Sequence, residues 1–132
     1  VLSALMQVVP DETVIRWMDQ QQDLSIWVTS ITLFELQVGI ALLPFGRRRE
    51  ALGSAFNRVL NDVVENRVLD FDGSAARAAA FLTAQRRQSG RNVEIRDTQI
   101  AGIVVAQRAT FATRNVRDFA DIDAHIINPW DA

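Results

Sequence analysis

The chain has 132 residues, 48% hydrophobic and 23% charged, which suits one domain with a real core. Cysteine is absent and His125 is the single histidine, which excludes disulfides and thiolate zinc sites and argues against histidine-based metal sites and triads. The net charge of −2 argues against bulk electrostatic binding of nucleic acid, although all 14 basic residues are arginine, whose planar fork suits phosphate.

Val1–Leu2–Ser3–Ala4–Leu5–Met6 reads as the start of a helical turn, with no strand before it. Pro10–Asp11–Glu12 opens a helix, since proline suits the first helical position and acids suit the first turn. Val14, Ile15, Trp17 and Met18 form its apolar face. Leu24 to Thr29 is a short apolar, β-branched run and reads as a buried strand. Thr32 to Leu43 is predicted as a helix, stopped near Pro44 and Gly46. Arg47 to Glu65 is a longer one, with Leu52, Phe56, Val59, Leu60 and Val63 on one side.

Arg67 to Phe71 is the second strand. Asp72–Gly73–Ser74 starts an alanine-rich helix that ends near Gly90, which suits a C-terminal cap. Arg91 to Arg96 is a loop, and Asp97 to Arg108 is a helix with Ile100, Ile103, Val104 and Val105 apolar. Thr110 to Thr113 is a strand, Arg117 to Ala120 one helical turn, and His125 to Ile127 a last strand before Asn128–Pro129–Trp130. Strands alternate with helices and no hairpin signal occurs. The expected fold class is therefore α/β: a parallel sheet flanked by helices on both faces, in three layers. No apolar run reaches the roughly 20 residues of a membrane span, so no membrane partner and a cytoplasmic location are expected.

Ligands of such sheets gather at the carboxyl ends of the strands. Glu35 follows the first strand, on a helix whose neighbouring positions are Ile31, Thr32, Val38, Gly39 and Leu42. It reads either as a capping-box partner of Thr32 or as an acid aimed into a crevice. Asp97 opens a helix that carries no other charge until Arg108, as an N-cap or as a site acid. Ala101 and Gly102, one turn on, allow close packing. Asn115 and Asp118 follow the third strand, as turn residues or as further site groups. All of these lie at one end of a parallel sheet. Two carboxylates about 4 Å apart at an effective dielectric near 20 repel by roughly 4 kcal/mol, so such a cluster calls for a cation. With oxygen ligands, Mg²⁺ or Mn²⁺ fits, and it activates water for attack on phosphate.

ITLFELQVGI after a short strand, RDTQIAGIVVAQR, FATRNVRDF and the terminal NPW together resemble the PIN-domain nucleases. The branch is that of the VapC/FitB toxins of type II toxin–antitoxin operons, and the resemblance covers nearly the whole chain as a single PIN domain. It implies a PIN-like fold and an RNA-cutting acid cluster that binds Mg²⁺ or Mn²⁺. Glu35 matches the family's helix glutamate, and Asp97 the aspartate that opens a later helix. The fourth position falls on Asn115, where many members have aspartate, with Asp118 close by. The family's first strand and first catalytic aspartate have no counterpart here, and the resemblance implies that they precede Val1.

The expected function is thus a toxin acting as a metal-dependent endoribonuclease, with Glu35, Asp97, Asn115 and Asp118 as catalytic and metal-binding residues. The expected partners are a cognate antitoxin, RNA as substrate, operator DNA only through the antitoxin, and a second copy in a homodimer. Arg47–Arg48–Arg49 is a candidate RNA-contact patch, or else a solvated helix start. Two other readings stand beside this one. A receiver-like or phosphatase module needs a nucleophilic aspartate at a strand end, which no complete strand here supplies. A degenerate, non-catalytic module would act by binding antitoxin and operator alone.

Overall fold

The computed structural model describes residues 12–20 and 26–131. Val1 to Met6, Pro10, Asp11, Leu24 and Ser25 lie outside these residues. Helix α1 (Glu12–Asp19) carries Glu12 in its first turn, as expected, and packs against a closing 3-10 turn, Pro129–Asp131. Strand β1 (Val28–Thr29) runs straight into α2 (Ser30–Ala41). Thr29 is the N-cap, its hydroxyl accepting from the Thr32 amide at 3.0 Å. The helix thus begins two residues earlier than expected from Thr32, and Glu35 is not part of a capping box. Two threonines were equally able to cap, and the strand's exit direction gave the role to the first, whose backbone is extended.

Past Pro44 and Gly46, helix α3 (Arg47–Arg58) continues into a π-type turn, Val59–Val63. Glu65 and Asn66, both at positive φ, then reverse the chain into β2 (Val68–Leu69). Helix α4 (Gly73–Gln88) starts where Asp72 predicts, the Asp72 carboxylate accepting from the Ala75 amide at 2.9 Å. It stops just before Gly90, whose φ of +70° is the left-handed turn expected there. Helix α5 (Ile95–Gln107) begins before Asp97 because Glu94 takes the cap, accepting from the Arg96 and Asp97 amides. Strand β3 (Phe111–Ala112), a 3-10 turn (Val116–Phe119) and strand β4 (Ile126–Ile127) complete the order.

The strands pair in parallel, β1 with β2 (Val28 opposite Val68) and β3 with β4 (Phe111 opposite Ile126). Neither pair is a hairpin, because parallel neighbours need a crossover, and helices supply it here. Among the described residues the two pairs are not joined by a ladder. One core cluster gathers Val28, Ile40, Phe56, Val59 and Val64 between α2 and α3. The other gathers Leu82, Ile100, Ala101, Val104 and Phe119 around α4 and α5.

The most extensive helix contact is α4 against α5. Gly102 makes it possible: a Cβ there would lie 2.6 Å from the Ala75 carbonyl oxygen and 2.7 Å from the Ala79 Cβ. The backbones meet where the Ala101–Gly102 step was expected to allow it. Gly102→Ala should therefore lower stability by about 2 kcal/mol, as overpacking of a well-filled core does. A thermal melt checks this, and an unchanged midpoint would show that the helices can separate freely.

Candidate active site

Helix α2 touches α5, and Asp97 lies near enough to Glu35 for its charge to act on it. Thr29 and Glu94 have taken the capping roles, so Glu35 and Asp97 are left without a local task. Among the described residues neither carboxylate has a hydrogen-bond or ion-pair partner, although both are partly buried. Burial pushes the Glu35 carboxyl above its ordinary range; Arg96 opposes this, while Asp97 and Glu94 add to it. Burial likewise pushes Asp97 up, reinforced by Glu94 and Asp118 and opposed by Arg86 and Arg96. Glu35 therefore feels the charge of Asp97, and Asp97 feels that of Asp118.

Asn115 and Asp118 occupy the loop and 3-10 turn after β3. The Asn115 side-chain amide donates to the Asp118 carboxylate at 2.6 Å, so the two act as one unit. Arg96 is exposed and held against Glu94, its Nε 3.0 Å from that carboxylate.

Sequence reasoning missed Arg86. In the sequence it is one of a pair of arginines near a helix end, and such pairs usually face solvent. In the structure its side chain is 3% exposed. It donates to both carboxylate oxygens of Asp121 at 2.9 and 2.8 Å, to the Thr98 hydroxyl at 2.7 Å and to the Asp118 carbonyl at 2.9 Å. Arg91 adds a bond to the Arg117 carbonyl at 2.8 Å.

The donor set suits a hard divalent cation. Two partly buried carboxylates lie together with no cationic partner in contact among the described residues, and the chain has no thiolate to compete. Among the described residues no three such groups stand together closely enough to hold a metal ion alone. Two carboxylates completed by water are within what magnesium accepts.

No family model matches the chain. It is 38% identical over 123 residues to the plasmid stability protein StbB of Pseudomonas syringae pv. tomato, covering 93% of this chain and 88% of the relative. It is 35% identical over 131 residues to the VapC ribonuclease Y4jK of Sinorhizobium fredii, covering 99% and 94%. Among solved structures, FitAcB from Neisseria gonorrhoeae superposes with a TM-score of 0.82 at 27% identity, over 99% of this chain and 94% of that one. No helix among the described residues is long and apolar enough to cross a membrane.

Proposed function

This chain belongs to the VapC/FitB-type PIN toxins, and on that premise we propose that it is the toxin of a toxin–antitoxin pair, cutting RNA as a metal-dependent endoribonuclease. The observation that carries the reading is the pair Glu35 and Asp97: partly buried carboxylates on two helices that touch, unpartnered among the described residues, with the Asp97 charge pushing the Glu35 carboxyl up. Glu35 and Asp97 would hold Mg²⁺ or Mn²⁺, with water completing the shell and Asp118 and Asn115 beside it. When bound, the ion polarises the phosphodiester and activates water.

The chain's own groups do the rest. Partial burial of Glu35 and Asp97 limits the water that would otherwise screen their charge. Asn115 fixes the Asp118 carboxylate through the 2.6 Å bond, so a negative group stays aimed beside Asp97. Arg47 and Arg48 are exposed, and Arg49 lies over the Phe45 ring at 4.4 Å. This patch offers cations to the RNA backbone and an aromatic face to a base. The test is cleavage of RNA by the purified protein with Mg²⁺ or Mn²⁺ and with EDTA. Cleavage that continues undiminished in EDTA would remove the metal from the mechanism.

The antitoxin is the proposed occupant of an apolar groove of about 560 Å³ between α2 and α3, lined by Leu33, Phe34, Val38, Phe56 and Leu60. Phe34 is 59% exposed and Leu42 80%, far more than a core-facing helix needs. Phe34 also neighbours Glu35, so a chain lying there can send an arginine to the carboxylates and displace the metal. Operator DNA would be reached only through that partner. Phe34→Asp should abolish co-purification with the product of the adjacent gene and leave the melting temperature within a few degrees. Retained co-purification would move the partner elsewhere. The mass of the toxin alone in solution reports whether a second copy covers α2 instead.

A further inference from the structure

We propose that Arg86 is a positioning residue that sets the spacing between the two limbs of the acid site, the Asp97 turn of α5 and the Asn115–Asp118 turn. This rests on the reading of Glu35, Asp97 and Asp118 as that site. The guanidinium reaches both limbs at once. Nη1 donates to the Thr98 hydroxyl, one residue from Asp97, and Nη2 donates to the carbonyl of Asp118 itself. Asp121, three residues on, accepts from Nε and Nη2 with its two oxygens.

Arg91 also holds that second limb, through the Arg117 carbonyl at 2.8 Å and the Asp121 carboxylate at 3.4 Å, but only Arg86 ties it to the Asp97 turn through Thr98. Strands β3 and β4 are two residues long, and the 3-10 turn has only four residues. Phe119 plugs the turn into the core, edge-on to Phe111 at 4.7 Å between centroids. That contact sets depth, and an aromatic contact tolerates sliding. A guanidinium does not slide: its donors lie in one plane at fixed angles, so four acceptor atoms of three residues on two segments are held in one geometry. Stability alone does not call for such a group. A buried ion pair is often no better than apolar residues of the same volume. The arginine sits where two acid-bearing segments must keep a constant separation, and it supplies a positive charge beneath carboxylates that repel.

The test is binding of Mn²⁺ alone to the full chain, followed by electron paramagnetic resonance well below the melting temperature. Arg86→Lys keeps the charge and loses the fork; Thr98→Val keeps the Arg86–Asp121 pair and cuts one strut. Each should weaken Mn²⁺ binding about tenfold or more, as loss of groups that orient metal ligands does. If Arg86→Lys does not fold, Thr98→Val decides by itself. Unchanged affinity in the folded variants, with Asp97→Asn losing the ion, would overturn the strut and leave the site standing. Mn²⁺ bound equally well by Asp97→Asn and Glu35→Gln would instead refute the acid site, and the strut with it.

Discussion

Glu35→Gln and Asp97→Asn are each expected to reduce RNA cleavage by on the order of a hundredfold or more while leaving the protein folded. Each removes half of the carboxylate pair that faces the proposed cation. Charge stabilisation of several kcal/mol is at stake there, and every 1.36 kcal/mol is tenfold in rate. The fold survives because neither side chain, among the described residues, bonds anything structural. Metal-free stability should in fact rise. Both carboxyls sit above their ordinary pKa, so ionising them opposes folding. That penalty is fully present above the raised folded values. It fades as pH falls through those raised values and is gone below the ordinary value near 4, where both states are protonated. In EDTA, the variants should therefore melt higher than the parent at neutral pH, with the difference closing on acidification. Full activity in either variant would remove that residue from the site, and a lower melting point would mean it has a structural partner.

The largest loss of stability is expected at Asp121. Asp121→Ala strips both carboxylate bonds from a guanidinium that is 3% exposed, leaving it only the Thr98 hydroxyl and the Asp118 carbonyl. Breaking a buried pair from one side costs about 3–5 kcal/mol. The lower figure applies, because the Asp121 side chain is 29% exposed and water can enter. That corresponds to roughly 10 °C in melting temperature. The pH dependence has the opposite sign to that of the site acids. The hydrogen bonds from Arg86 hold the Asp121 carboxyl below the usual range, against a smaller opposing effect of burial. Its stabilisation is complete above the ordinary aspartate value near 4 and is lost as pH falls through the lower folded value. Parent and variant should converge in melting temperature only in that acidic window. A constant gap down to low pH would show that the carboxylate's charge does not matter.

The order of elements was legible because each has a local cause. Asp72 caps α4, Gly90 follows its end, and the absence of hairpin signals required parallel pairing, which both strand pairs show. Glu35 and Asp97 stood out as isolated charges in apolar helices, and the Ala101–Gly102 step marked a close backbone approach that the α4–α5 contact uses. Family membership was legible too, because it is carried by contiguous stretches such as ELQVGI and ATRNVRDF.

Tertiary structure decided what local rules left degenerate. Thr29 and Thr32 are equal caps in sequence, and only the exit of β1 chose between them. Asp97 could have capped α5, but the backbone gave that task to Glu94 and left Asp97 free to face Asp118. Arg86 and Arg87 are the same residue type one position apart on a helix, about 100° of rotation. One is buried at the meeting point of α4, α5 and the 3-10 turn, and the other is in solvent. That distinction depends on segments 12 to 35 residues away, and packing alone brings them together.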